Sequence, residues 1–403
     1  MENKKTSGRH IFTIVFLGIL LLYSVINIFQ GRKGLRSELA TFDLEGASED
    51  IVELNTLMED NILYKYFFVE GYGWVQNVLH KHEENSFDNV IDKEGYLHAG
   101  TFWNGFGDNP KELAMRVRRF SDVLERKGIR IGFVLCPSKT VRDEERYYGI
   151  PYEDFSKESD DMFRWLRYYG IPYLDLRNTM EKSGLTYEKI WFKTDVNWTP
   201  RAAFEGYRAL VTWMNTEFDA NLDPEEITRN IENYEILHFP KSMLGSQGRE
   251  TGLVFSGGME DYIALVPRTQ GNYTWIDNDG GEKTGNFRET FLNEDIEGMD
   301  PYHLNADSFY LGELTAYNRL INLNPPNKKK VLLLRDSFAS PVGTFLIQNC
   351  EMVDMVWNSR CSQEEIINYL EGNEYDFVVV MLYPQNLSYS NFPFYPTKES
   401  ENA

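Results

Sequence analysis

Five apolar runs constrain the fold most: "IRIGFVLCP" from residue 129, "IPYLDL" from 171, "KKKVLLL" from 328, "EMVDMVW" from 351 and "YDFVVVMLY" from 375. Each is short and holds a mostly apolar stretch, the pattern of a strand covered on both faces. Amphipathic segments alternate with them. "KELAMRVRRFSDVLERKG" has helical spacing and stops at Gly128, and "KESDDMFRWLRYYG" stops at Gly170. "TPRAAFEGYRALVTWMNTEF" opens with Thr199 as N-cap and Pro200 in the first turn, and "SQEEIINYLEGN" supplies one more helix. Strand–helix alternation of this kind predicts an α/β fold around a parallel sheet.

The middle of the chain reads differently. Residues 221–325 are rich in Gly, Asn and Asp and carry short β-like pieces, "GLVFSG", "DYIALVP" and "NYTWI". They are expected to form a β-rich insertion or small subdomain within the α/β domain. The resulting division is 1–34 tail and membrane anchor, 35–65 polar helical stalk, 66–220 first part of the α/β domain, 221–325 insertion, and 326–395 second part.

Residues 11–29, "IFTIVFLGILLLYSVINIF", run apolar without a charge, long enough to cross a bilayer as a helix. The run ends "VINIFQGRK" with no small-x-small cleavage site, which favours an uncleaved anchor over a signal peptide. Lys4, Lys5 and Arg9 before it nearly balance Arg32, Lys33 and Arg36 after it. The expected orientation leaves the N-terminus in the cytoplasm and exports the long domain that follows, as a single-pass cell-membrane protein.

A net charge of −21 argues against nucleic acid and anionic polymers as partners. Cys136, Cys350 and Cys361 have no metal spacing. Cys136 ends an apolar run and reads as core, and Cys350 and Cys361 are one candidate disulfide pair outside the cytoplasm. No metal or cofactor is expected.

Three segments carry groups suited to chemistry. In "VLLLRDSFASPVGTFL", Ser337 follows a strand and precedes a helix, a place that exposes a hydroxyl near helix N-terminal amides. The competing reading is that Asp336 or Ser337 only caps the helix. In "WFKTDVNWTP", Asp195 and Asn197 are separated by one residue. Asp-x-His would set an imidazole base and its orienting carboxylate on one loop, but an amide cannot take and return a proton near neutral pH. In "VLCPSKT", Lys139 follows a strand end and either meets a substrate oxygen or stays solvated.

Taken in order, "KEGYLHAG", "VLCPSKT", "YLDLRNTM", "WFKTDVNWTP", "KSMLGSQGRETG", "KKVLLLRDSFASPVGTFL" and "YDFVVVMLYPQNL" resemble the DHHW proteins and the related SGNH-hydrolase-like O-acetyltransferases of alginate and other exopolysaccharides. The resemblance covers roughly residues 60–390. It implies a flavodoxin-like SGNH α/β/α sandwich and a Ser-His-Asp triad for acyl transfer or ester hydrolysis. Residue by residue, Ser337 matches the nucleophile, Asp195 the orienting acid, and Asn197 the position of the missing catalytic His. Trp198 closes the four-residue signature, and Arg360 aligns loosely with a site arginine. The expected substrate ligands are Trp198, Lys139 and Arg360.

Six histidines remain to replace the base: His10, His80, His82, His98, His238 and His303. The resemblance also implies a polysaccharide partner and an acetyl donor relayed by a membrane-bound O-acyltransferase. Three functional readings follow. The protein assists polysaccharide O-acetylation with weak or no catalysis. Or it is an active acetyltransferase or esterase that uses Ser337 with a relocated base. Or it is a non-catalytic, membrane-anchored assembly partner.

Overall fold

A computed structural model describes residues 2–41, 62–84, 87–100, 108–152, 154–269, 271–278, 280–294, 300–302, 309–311 and 315–394. The chain divides into two compact units, Met1–Val75 and Gln76–Ala403.

In the first unit, α1 (Glu2–Thr41) is one continuous helix. It contains Phe12–Phe29, an 18-residue stretch long and apolar enough to cross a membrane, with none of it buried. At about 1.5 Å per residue that stretch rises about 27 Å, close to the hydrocarbon thickness of a bilayer. Of the expected stalk, residues 35–41 continue α1, and 42–61 lie outside the described residues. A second helix, α2 (Lys65–Val78), leads into the larger unit.

The larger unit begins with a small antiparallel sheet of β1 (Glu83–Glu84), β2 (Asn89–Ile91) and β3 (Leu97–Ala99). Then come α3 (Pro110–Arg126), β4 (Arg130–Leu135), α4 (Ser156–Tyr168), β5 (Tyr173–Asp175) and α5 (Pro200–Phe218). Local chemistry sets these boundaries. The Asn109 side chain caps α3 by accepting from Lys111 N, and Gly128 ends it at φ +74°. Thr199 Oγ1 accepts from Ala202 N to cap α5, and Pro200 fills its first turn.

The middle segment holds β6 (Tyr234–Met243), α6 (Ser246–Ser256), β7 (Glu260–Pro267), β8 (Tyr273–Asp277), β9 (Glu282–Gly285) and β10 (Tyr317–Asn322). The chain continues through β11 (Lys330–Arg335), α7 (Ser340–Leu346), β12 (Met352–Trp357), α8 (Gln363–Gly372) and β13 (Phe377–Leu382).

The central sheet has eight strands in the order β5-β4-β13-β11-β12-β10-β8-β9. From β5 to β12 all neighbours are parallel, as the alternation of strand and helix requires. β10, β8 and β9 extend the sheet in antiparallel fashion. The expected parallel sheet is therefore the core of a larger mixed one. Strands β8 and β9 are joined by a short turn, which can only return the chain antiparallel. Of the segment 221–325, β6 and β7 form a separate two-stranded sheet, whereas β8, β9 and β10 belong to the central one. "GLVFSG" is not a strand: it falls in α6, with a non-helical break at Gly252 (φ +84°). A run of three apolar side chains does not distinguish the two conformations.

Successive residues of each central strand point to opposite faces, and each face is covered by helices. Val134, Leu333 and Val379 pack with α5 and α7, while Phe133, Leu334 and Val380 pack with α3, α4 and α8. Cys136 is a buried core residue, and Cys350 and Cys361 are buried free thiols, so the candidate disulfide pair is not bridged. Burial pushes the Cys361 thiol up to about 11, which holds it in the unreactive protonated form.

Candidate active site

Ser337 begins a one-turn 3₁₀ helix, Ser337–Ala339, directly after β11 and Asp336. The capping is done by Asp336, not by Ser337. Asp336 Oδ1 accepts from Phe338 N at 3.0 Å, and Oδ2 accepts from Tyr383 N at 2.6 Å and Asn386 Nδ2 at 2.8 Å. These bonds tie the turn to the end of β13. Asp336 is buried, and desolvation pushes its carboxyl up despite the three donors. With the cap supplied by its neighbour, the partly exposed Ser337 is left to face the loop before α5.

That loop brings Asn197 and Asp195. Ser337 Oγ donates to Asn197 Oδ1 at 3.2 Å, and Asn197 Nδ2 donates to Asp195 Oδ1 at 3.0 Å. The same carboxylate oxygen accepts from Asn197 N at 2.8 Å, and Oδ2 accepts from Ser246 N at 2.7 Å. The hydroxyl, the amide and the carboxylate thus form one hydrogen-bonded chain, with Asn197 in the middle.

The loop is clamped from several sides. Glu260, at the start of β7, accepts from Lys193 N at 2.8 Å, Thr194 N at 2.8 Å and Thr194 Oγ1 at 2.6 Å. Thr194 Oγ1 in turn accepts from Gly245 N at 2.8 Å. A Cβ on Gly245 would lie 2.3 Å from Asp195 Cβ and 2.4 Å from Thr194 O, so only glycine allows this approach. From another side, Lys139 Nζ donates to Asp195 O at 2.6 Å and Lys193 O at 3.3 Å.

Lys139 differs from both sequence-based alternatives. It is neither solvated nor placed to meet substrate: it is buried at 2% exposure and used on loop carbonyls. Burial pulls its ammonium down to about 8, against the opposing pull of Glu260, Asp195 and Asp92. Trp198 is also buried, and its indole N–H donates to Phe338 O at 3.0 Å, which ties the loop to the Ser337 turn. Its ring walls the slot beside Ser337. Arg360 is exposed, stacks at 4.1 Å on the Trp357 ring, and does not line that slot.

The slot is lined by Ser337, Asn197, Trp198, Phe192, Tyr262 and Tyr310, closed by Pro200 and Pro341, and has a volume of about 20 Å³. That is room for one water-sized group. Tyr262 and Tyr310 come from the middle segment, and neither they nor Glu260 carried a sequence signal as site residues. The Gly-Ser pair at the start of α6 was the one legible hint, since glycine before a helix start permits close backbone approach.

The histidines lie elsewhere. His98 Nε2 meets Asp92 Oδ2 at 2.9 Å, and Arg146 Nε donates to the same oxygen at 2.6 Å. His98 is buried at 2% exposure, and desolvation pulls its imidazole down to about 4 despite Asp92. Burial alone would raise Asp92, but the bonds from His98, Tyr96 N and Arg146 outweigh it and hold the carboxyl at about 2. His238 of β6 pairs with Asp261 of β7 at 2.8 Å, and both side chains are exposed. His82 stacks on Tyr148, and His10 lies in α1. His303 lies outside the described residues. Among the described residues no imidazole hydrogen-bonds Ser337, and no group of three or more His, Cys, Asp and Glu side chains is placed to hold a metal ion.

A Bacillus cereus protein, PatB1, superposes with a TM-score of 0.61 over 76% of this chain and 99% of that chain, at 18% identity. Its structure with a sulfonyl adduct gives a TM-score of 0.59 over the same shares. A DHHW family protein from Eubacterium siraeum gives 0.53 at 13% identity, over 74% of this chain and 94% of that one. Residues 105–235 match the family described as the SGNH hydrolase-like domain of the acetyltransferase AlgX. The fold is SGNH-hydrolase-like. No curated protein matches the chain. The matched span of this SGNH-like fold includes Asp195 and Asn197 but ends before Ser337.

Proposed function

We propose that this protein takes part in O-acetylation of an exported or cell-surface polysaccharide, as a membrane-anchored extracytoplasmic partner with weak or no catalysis of its own. The matched SGNH acetyltransferase domain supports the acetylation role. The Phe12–Phe29 stretch supports the anchor.

One observation carries the low-activity reading: Asn197 stands between Ser337 and Asp195 in an otherwise connected chain. For acyl transfer, Ser337 Oγ would attack an acyl carbonyl carbon, and the hydroxyl proton must leave as the new C–O bond forms. Asn197 Oδ1 accepts the hydrogen bond but cannot hold the proton, and Asp195 Oδ1 is already used by the two Asn197 N–H groups. The scaffold would bind a glycan or acyl carrier, and an acetyl donor relayed by a membrane-bound O-acyltransferase would supply the group.

Hydrolysis of a small acetyl ester tests this reading. Asn197→His should raise the rate, by at most about 10²–10⁴-fold, because it restores a base between Asp195 and Ser337. Adding Ser337→Ala should remove the gain. A folded Asn197→His protein with no gain would favour the assembly reading, in which the cleft is unused.

A further inference from the structure

Helix α2 is amphipathic in the reverse sense to a helix packed on a core. Tyr64, Phe67, Phe68, Tyr72, Trp74, Val75, Val78 and Leu79 are all exposed, with Phe67 at 73% and Trp74 at 59%. At 100° per residue Phe67, Phe68, Gly71, Tyr72, Trp74, Val75 and Val78 share one face of α2 about 160° wide that bears no charge. The opposite side carries Lys65, Glu70, Gln76 and Asn77 together with the half-buried Tyr66 and Val69. At the C-terminal end it is this polar side that is held: Gln76 is buried and its Nε2 donates to Glu83 O at 2.8 Å, while Asn77 Nδ2 donates to Val254 O at 2.8 Å. The N-terminal end of α2 is tied to the apolar stretch of α1. Tyr23 OH donates to Leu63 O at 2.5 Å, Leu63 N donates to Asn27 Oδ1 at 2.6 Å, and the Tyr23 and Phe68 rings meet edge to face at 5.9 Å.

We propose that α2 is an interfacial helix whose aromatic face docks on the lipid bilayer. This rests on the reading of α1 as the membrane anchor. Residues 23 and 27 lie in the C-terminal half of Phe12–Phe29, so contact with them sets the start of α2 at the headgroup end of the span. Tyr, Trp and Phe on one face are the composition that suits that boundary, where ring bodies enter the acyl region and polar tips stay wet. An exposed aromatic face of this size would be a liability in water, and immersion in lipid covers it. The bilayer is favoured over a protein partner because the face is continuous with the apolar span through its own hydrogen bonds.

The full chain is reconstituted into phosphatidylcholine–phosphatidylglycerol vesicles with an environment-sensitive fluorophore on Trp74→Cys, on Phe67→Cys, or on Glu125→Cys as an exposed control. The native thiols are buried. The account expects retention after carbonate extraction, and quenching by lipid-borne nitroxide several-fold stronger at 67 and 74 than at 125. Release by carbonate would overturn the anchor and the docking together. Retention with 67 and 74 quenched by aqueous iodide as readily as 125 would overturn the docking alone. Shielding from both quenchers would overturn it in favour of a second copy or another protein on this face.

Discussion

Two clusters divide between them the parts of a proton-transfer device. At the Ser337 turn, a hydroxyl and a carboxylate are linked through an amide. At β2–β3, a carboxylate and an imidazole are linked directly, with Arg146 in place of any nucleophile. The first is open to the slot and lacks a base. The second has the base in good geometry but sealed: the His98 ring meets Tyr147 edge to face at 5.0 Å, and its Nδ1 is buried without a hydrogen-bond partner among the described residues. A base must exchange its proton with substrate and then with solvent, so an Asp–His pair without access serves the fold instead. The contrast argues against relocation of the catalytic base to His98.

The two clusters should respond differently to substitution. The largest effect is expected from Asp92→Ala, which leaves the buried His98 and the half-buried Arg146 without their shared acceptor. Loss of one partner of a buried pair costs about 3–5 kcal/mol, readable as a lowered urea midpoint. Gly245→Ala should cost about 1–3 kcal/mol, because the new methyl meets Asp195 Cβ at 2.3 Å and the loop must shift. In the Asn197→His background it should also reduce the restored ester rate, whereas Asp92→Ala in the same background should act mainly on stability. Equal effects of the two substitutions on rate would break the contrast.

A smaller effect sharpens it through pH. The imidazole of folded His98 is pulled from its ordinary 6.5 to about 4, so the unfolded chain binds the proton first, and stability falls as pH drops through that window. Asp92, held at about 2, contributes stability above its ordinary 3.8 that is lost as pH falls towards 2. Both act in the same direction. His98→Gln should flatten the stability profile between pH 6.5 and 4 and shrink the lower leg without removing it, because Tyr96 N and Arg146 still bind Asp92. An unchanged profile would mean that His98 does not govern acid sensitivity.

The central strands and the two segments that meet at Ser337 were legible because they depend on local pattern. Runs such as "FVVVML" admit few conformations, and the Thr199–Pro200 start of α5 is a local cap. What escaped depends on contacts distant in sequence. Nothing local distinguishes a solvated lysine from Lys139, which is buried because the carbonyls of residues 193 and 195 cover it. Asp92 and His98 are close in sequence, but Arg146 joins them only through tertiary packing. The antiparallel edge formed by β10, β8 and β9 likewise depends on pairing across the sheet. Tyr262 and Tyr310 line the slot from a segment read as a separate insertion.

The central claim is that Asn197 leaves Ser337 without a working base. Its most direct measurement compares hydrolysis of a small acetyl ester by the unaltered protein and by Ser337→Ala, at neutral pH and with both shown to be folded. The account predicts indistinguishable rates close to the uncatalysed background. Rapid turnover by the unaltered protein that Ser337→Ala abolishes would contradict it.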